Sequence, residues 1–95
     1  MKIWLDDLRE APEGYTWCRS VNEAIKCIES KDQIEIIDCD HDLGDYASDG
    51  GDAIKLLDYL ESTKNFIPIA IHTMNPVGRA NMERIIEHKW KNRSN

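Results

Sequence analysis

Short apolar runs alternate along the chain with amphipathic segments. Lys2 to Leu5 and Ile67 to Ile71 are runs of strand-forming residues, and the β-branched run that begins at Ile34 turns acidic toward its end. A further short strand is predicted over Tyr15 to Arg19, after a loop that contains proline and glycine. The four runs predict four strands.

Three helices are predicted from apolar residues at helical spacing. Ser20 to Glu23 has the form of a capping box and begins a helix that extends to about Lys31. A second helix follows Asp52, and Asn75 and Pro76 suit the N-cap and first position of a third. The apolar faces of the last two helices consist of Ala53, Ile54, Leu56, Leu57 and Leu60, and of Met82, Ile85, Ile86 and Trp90. No helix is predicted between the first two strands.

Strands that alternate with helices predict an α/β fold with a parallel sheet and right-handed connections, in one domain over residues 1–95. Sheets of this kind place their functional sites beyond the carboxyl ends of the strands. Polar residues are concentrated at three such strand ends. They are Asp6, Asp7, Asp40, His41, Asp42, His72, Thr73 and Asn75.

Composition restricts the partners. A net charge of -6 opposes binding to a long nucleic acid, although a small phosphate ligand remains compatible with it. The apolar run at the amino terminus is too short for a signal peptide or a membrane span, so we expect a cytoplasmic protein that does not enter membranes. Three cysteines without a C-x-x-C spacing indicate reduced packing thiols.

Carboxylates that converge on one crevice repel one another unless some are protonated or a cation lies between them. Oxygen ligands suit hard divalent ions, so we predict Mg²⁺ or Mn²⁺, with Asp6, Asp7, Asp40 and Asp42 as candidate ligands. Taken alone, Asp6 and Asp7 would be an ordinary pair of residues in a turn after a strand.

Two histidines and three further residues are candidates for chemistry on a phosphate. His41 and His72 follow different strands and could act as general base and general acid, whereas a lone histidine at such a position is often a hydrogen-bonded packing residue. Asn75 and Arg79 begin the third helix and, with Arg9, could bind a phosphate. A capped helix with a solvated arginine accounts equally well for Asn75 and Arg79.

The segment from Ile3 to Asp7 resembles the first strand and acidic pair of response-regulator receiver domains. Asp42 precedes Asp49-Gly50 at the receiver interval, and Pro68 to Thr73 resembles the receiver strand that ends in threonine. The resemblance implies a truncated, flavodoxin-like, three-layer sandwich, with about four parallel strands in the order 2-1-3-4 and helices on both faces. It also implies that Asp6, Asp7 and Asp42 hold Mg²⁺. The missing first helix, the absent receiver lysine and the added histidines depart from the pattern.

A closer resemblance is to the cyclic-phosphate-processing receiver domains. The matching segments are Asp6 to Arg9, Asp40 to Gly44 and His72 to Pro76. This resemblance implies the processing of cyclic phosphates, such as 2′,3′-cyclic phosphate ends or cyclic nucleotides. With the candidate metal ligands, it leads to the hypothesis of a metal-dependent phosphodiesterase-like domain that binds a small cyclic phosphate. The alternative is a noncatalytic module, either a degenerate receiver or a protein that sequesters a cyclic nucleotide. The sequence leaves the nucleotide and the oligomeric state open.

Overall fold

Four short strands and three helices alternate in the computed structural model, which describes residues 1–30 and 32–91. The strands are β1 (Lys2–Leu5), β2 (Tyr15–Cys18), β3 (Ile36–Cys39) and β4 (Ile69–Ile71). The helices are α1 (Val21–Glu29), α2 (Ala53–Ser62) and α3 (Pro76–Lys91), and a 3-10 helix spans Gly44–Ser48. The predicted elements are confirmed, with ends that shift by one or two residues.

The strands form one parallel sheet in the order β2-β1-β3-β4. Leu5, the last residue of β1, lies opposite Cys18 of β2 and Cys39 of β3. The receiver-like α/β fold and the predicted strand order are therefore confirmed. Because neighbouring strands end at the same level, the residues that follow β1, β2 and β3 meet along one edge of the sheet.

The helices share one face of the sheet, whereas the resemblance implied helices on both faces. Ile3 and Leu5 point to one face and are fully buried, and the buried residues of all three helices join the same cluster. Right-handed connections from β2 to β3 and from β3 to β4 run in the same direction, which places α1 and α2 on the same side. Within the described part of the chain, the β1–β2 connection alone crosses the other face, and residues 6–14 contain no helix. Trp4 and Asp38 are therefore only half-buried on that face.

The helix starts follow the sequence signals. The hydroxyl of Ser20 accepts a hydrogen bond from the Glu23 N–H at 3.1 Å, and the Asn75 Oδ1 accepts one from the Gly78 N–H at 3.0 Å. The described part of α1 ends at Glu29, and the predicted end near Lys31 lies outside the described residues. Among the described residues, no helix combines the length and apolar character needed to cross a bilayer.

Candidate functional site

Three aspartates meet at the carboxyl edge of the sheet. Asp6 and Asp7 follow β1, and Asp40 follows β3. The Asp40 N–H donates to the Leu5 carbonyl at 2.8 Å, which continues the β1–β3 ladder by one residue and sets Asp40 beside the acidic pair. One carboxylate oxygen from each of the three residues lies within 4.8 Å of the other two. We call Asp6, Asp7 and Asp40 the carboxylate triad.

The carboxylate of Asp6 is buried, and both of its oxygens are hydrogen bonded. Its residue is 1% exposed, and its Oδ1 accepts hydrogen bonds from the N–H groups of Leu8 and Arg9, both at 2.9 Å. Its Oδ2 lies 2.9 Å from Nε2 of His72. Burial alone would raise the pKa of Asp6, but the hydrogen bonds from Arg9, Leu8 and His72 outweigh it and lower the pKa. Asp6 is therefore held as a carboxylate.

The neighbouring carboxyl group has the opposite shift. Burial, together with the negative charges of Asp6 and Asp40, raises the pKa of Asp7. Gly44 packs against this carboxyl group, since a Cβ at position 44 would lie 2.5 Å from Oδ2 of Asp7. Gly44 also has a φ of +54°, which favours glycine. A bound cation would therefore stabilise the ionised form of Asp7.

The triad has the properties of a site for a hard divalent cation. It offers three oxygen ligands. Burial, and after it the negative charges of Asp6 and Asp40, raise the pKa of Asp7, and a bound cation would offset both effects. Of the four predicted ligands, the structure brings Asp6, Asp7 and Asp40 together. Asp42 is more exposed and contacts His41 and Asn75 instead.

Asp42 connects His41 to the start of α3. Its Oδ1 lies 2.9 Å from Nδ1 of His41, and its Oδ2 accepts a hydrogen bond from Nδ2 of Asn75 at 3.0 Å. The hydrogen bonds from Asn75 and His41 hold the pKa of Asp42 below its ordinary value. Asn75, predicted as a helix cap and as a phosphate ligand, therefore caps α3 and also orients Asp42.

His41 lies against the first turn of α3. A Cβ at position 78 would come within 2.5 Å of the His41 ring, so only glycine leaves room for the ring there. The ring is mostly buried, with 16% of the side chain exposed. Nδ1 is hydrogen bonded to Asp42, and Nε2 makes no hydrogen bond with any described residue. His41 thus has one oriented nitrogen and one that is open to a ligand.

His72 is hydrogen bonded at both ring nitrogens. Its Nδ1 lies 2.7 Å from Oδ1 of Asp38, and its Nε2 lies 2.9 Å from Oδ2 of Asp6. The ring stacks on Trp4, with centroids 3.8 Å apart and an angle of 5° between the planes. Asp38 and Trp4 were not among the predicted site residues. The signal for Asp38 was available, since it is an acidic residue inside a strand and has the same parity as Asp40.

Three arginines surround the site and contact backbone carbonyls. Arg9 donates to the His72 carbonyl at 3.2 Å, and Arg79 donates to the Ile71 carbonyl at 3.2 Å. Arg19 donates through Nε and Nη2 to the Asp7 carbonyl, at 2.9 and 2.6 Å. Its position directly after β2 could have identified Arg19 from the sequence, because β2 ends at the same edge as β1. The phosphate-binding roles of Arg9, Asn75 and Arg79 stay predictions.

Arg19 is also held between two aromatic rings. Its guanidinium lies 4.6 Å from the centroid of Tyr46 and 5.1 Å from that of Trp17. Its positive charge acts to lower the pKa of Asp7, against the larger effect of burial. Arg19 therefore connects β2, the acidic pair and the 3-10 helix.

The family model described as the cyclic-phosphate processing receiver domain matches residues 1–88. The chain belongs to this family. The domain is thus a receiver domain associated with cyclic-phosphate processing. No curated protein and no protein of known structure matches it significantly.

Proposed function

We propose that the domain is a Mg²⁺-dependent phosphodiesterase-like enzyme that binds a small cyclic phosphate and opens its ring by hydrolysis. The observation that carries this proposal is the carboxylate triad, with three oxygens within 4.8 Å of one another. The residue after Asp40 is His41, whose Nε2 has no hydrogen-bond partner among the described residues. The family assignment supports a cyclic phosphate as the ligand. The ligand class includes 2′,3′-cyclic phosphate ends and cyclic nucleotides.

Asp6, Asp7 and Asp40 are the residues that would hold the cation. Hydrogen bonds keep Asp6 ionised, and Asp40 is partly exposed, whereas burial and the charges of its neighbours disfavour the ionised form of Asp7. Mg²⁺ bound to carboxylates would supply positive charge to the phosphoryl oxygens and lower the pKa of a bound water.

His41 is the residue suited to proton transfer. Asp42 and the packing of Gly78 fix the ring, so that Nε2 is the atom that takes a proton from water or returns one to the leaving ribose oxygen. In the hydrolysis, the oxygen of water bonds to phosphorus, and one bond between phosphorus and a ribose oxygen breaks. A phosphomonoester and a free hydroxyl result.

Binding without turnover is the second candidate function. It is favoured by His72, because both of its ring nitrogens face carboxylates and neither is open to a substrate. A site with only one available proton-transfer group suits a protein that sequesters a cyclic nucleotide as well as it suits an enzyme. The net charge of -6 favours a small ligand over a long nucleic acid in either case.

The deciding experiment incubates the purified protein with 2′,3′-cyclic, 3′,5′-cyclic and cyclic-dinucleotide substrates, with Mg²⁺, with Mn²⁺ or with a chelator. Products are identified by mass spectrometry, and melting temperatures are measured in parallel. We expect a linear phosphate that forms only when the cation is present. Intact compounds with a raised melting temperature would support sequestration, through mass action. Compounds that stay intact and do not shift the melting temperature would contradict both functions.

The matched control for the aspartates is Asp58→Asn. Asp58 is exposed on α2, and its substitution removes the same charge at a site away from the carboxyl edge of the sheet. It should leave turnover and binding unchanged, whereas Asp40→Asn should lower both.

A further inference from the structure

We propose that His72 is a positioning residue, which holds the carboxylate of Asp6 in the orientation that binds the cation and transfers no proton itself. The inference rests on the proposed function only in taking the carboxylate triad as a cation site. The observations that carry it are two hydrogen bonds and one ring contact on the helix-free face of the sheet.

Three neighbouring strands provide the parts of this bridge. Asp38 lies in β3, His72 follows β4, and Asp6 follows β1. Nδ1 of His72 is 2.7 Å from Asp38, and Nε2 is 2.9 Å from Asp6. A general acid or base needs a ring nitrogen within hydrogen-bond reach of the reacting group. Neither nitrogen of His72 meets that condition unless an existing bond breaks.

Trp4 prevents the ring from turning away. The indole stacks on the imidazole at 3.8 Å, and its own Nε1–H donates to the Arg9 carbonyl at 2.9 Å. Tyr15 contacts the indole edge-on, with centroids 6.0 Å apart. Trp4 and Asp6 lie two residues apart and therefore on the same face of the sheet. The surface that supports His72 is itself fixed.

The hydrogen bonds leave Asp6 with little freedom. A carboxylate offers about four acceptor positions. Three are used, by the N–H groups of Leu8 and Arg9 and by Nε2 of His72. The remaining position is the one available to a cation shared with Asp7 and Asp40, which lie within 4.8 Å. Loss of the hydrogen bond from His72 would let the carboxylate rotate. Removal of a group that orients a metal ligand typically lowers the metal affinity about 10- to 100-fold.

Two substitutions separate the two halves of the bridge. In His72→Gln the amide nitrogen reaches the position of Nε2 and can still donate to Asp6. In His72→Asn the amide nitrogen reaches the position of Nδ1 and can donate only to Asp38. Mg²⁺ affinity is measured by titration calorimetry without substrate. We expect His72→Asn to lose about 10- to 100-fold in affinity, and His72→Gln to stay close to the wild type.

Equal turnover loss in both variants, with unchanged Mg²⁺ affinity, would overturn the proposal and return His72 to a role in proton transfer. Asp38→Ala keeps the test decisive if the His72 variants do not fold. Asp38 contacts His72 and is not in the triad, so a weaker Mg²⁺ affinity in Asp38→Ala supports positioning, and an unchanged affinity contradicts it.

The proposed function can fail separately. A wild-type protein that binds Mg²⁺ but leaves every cyclic phosphate intact would contradict hydrolysis, and the comparison of His72→Gln with His72→Asn would still decide the role of His72. A wild-type protein that binds no Mg²⁺ would overturn the positioning role as well.

Discussion

The two histidines at the carboxyl edge of the sheet differ in what surrounds them. His41 packs on the first turn of α3, and among the described residues its ring is hydrogen bonded to Asp42 alone, whose side chain is 57% exposed. His72 is enclosed by Trp4 and by carboxylates of two other strands. The same side chain therefore provides an open nitrogen in one region and a fixed bridge in the other. Strand-end position alone does not determine which role a histidine takes.

The largest effect is expected for His41→Ala. Removal of a proton-transfer group typically lowers turnover about 100-fold or more, while the carboxylate triad does not depend on the imidazole. The measurement is single-turnover hydrolysis of the active cyclic phosphate, with Mg²⁺ affinity determined in parallel. A variant that keeps its rate would show that His41 does not transfer the proton, and the contrast between the two histidines would then be one of packing only.

The acidic pair should respond in opposite directions when no cation is present. Asp6→Ala removes the acceptor of three hydrogen bonds and should cost about 2 kcal/mol of unfolding free energy. Asp7→Asn removes a like charge and should raise the free energy of unfolding. Chemical denaturation at neutral pH measures both.

Asp6 and Asp7 should also affect the stability of the fold with opposite dependence on pH. The pKa of Asp6 is lowered in the fold, so its stabilisation is present above its unfolded pKa and is lost as the pH falls through the folded pKa. The pKa of Asp7 is raised, so its ionised form destabilises the fold at neutral pH and ceases to do so as the group becomes protonated. The gain from Asp7→Asn should therefore shrink as the pH is lowered. If the rise in unfolding free energy stays constant down to strongly acidic pH, the ionised carboxylate of Asp7 does not destabilise the fold.

Gly78→Ala tests the packing that holds His41. The added Cβ would come within 2.5 Å of the ring, while alanine favours the helix by up to about 1 kcal/mol over glycine. We expect turnover to fall about 10-fold because a misplaced catalytic group is costly, with little change in Mg²⁺ affinity. If Mg²⁺ affinity falls in step with turnover, the helix start has moved and the two regions are not independent.

Asn75→Ala is expected to have the smallest effect. It removes the N-cap of α3, which typically costs about 1 kcal/mol, and frees one oxygen of Asp42. Asn75→Asp is the matched control, since it keeps the cap but sets a negative charge beside Asp42. Thermal unfolding distinguishes the two. Asn75→Asp should unfold at a higher temperature than Asn75→Ala, and the reverse order would mean that charge at this position matters more than capping.

Local signals predicted much of the fold. Ser20 and Asn75 both cap helices as the sequence indicated, because a cap depends on residues within one turn. The missing first helix was also predicted, since residues 9–14 contain proline and glycine and lack helical periodicity. The face on which the helices lie follows from that absence, because only the β1–β2 connection could have covered the other face.

The sequence by itself determined that aspartates and histidines would meet at one edge, because parallel strands end together. Only the tertiary structure decided which of them touch. Asp40 joins the triad because its N–H continues the β1–β3 ladder, whereas Asp42, two residues later, turns toward Asn75. His72 reaches Asp6 across 66 positions of the chain. Such hydrogen bonds depend on strand register and side-chain rotation, which short-range patterns do not encode.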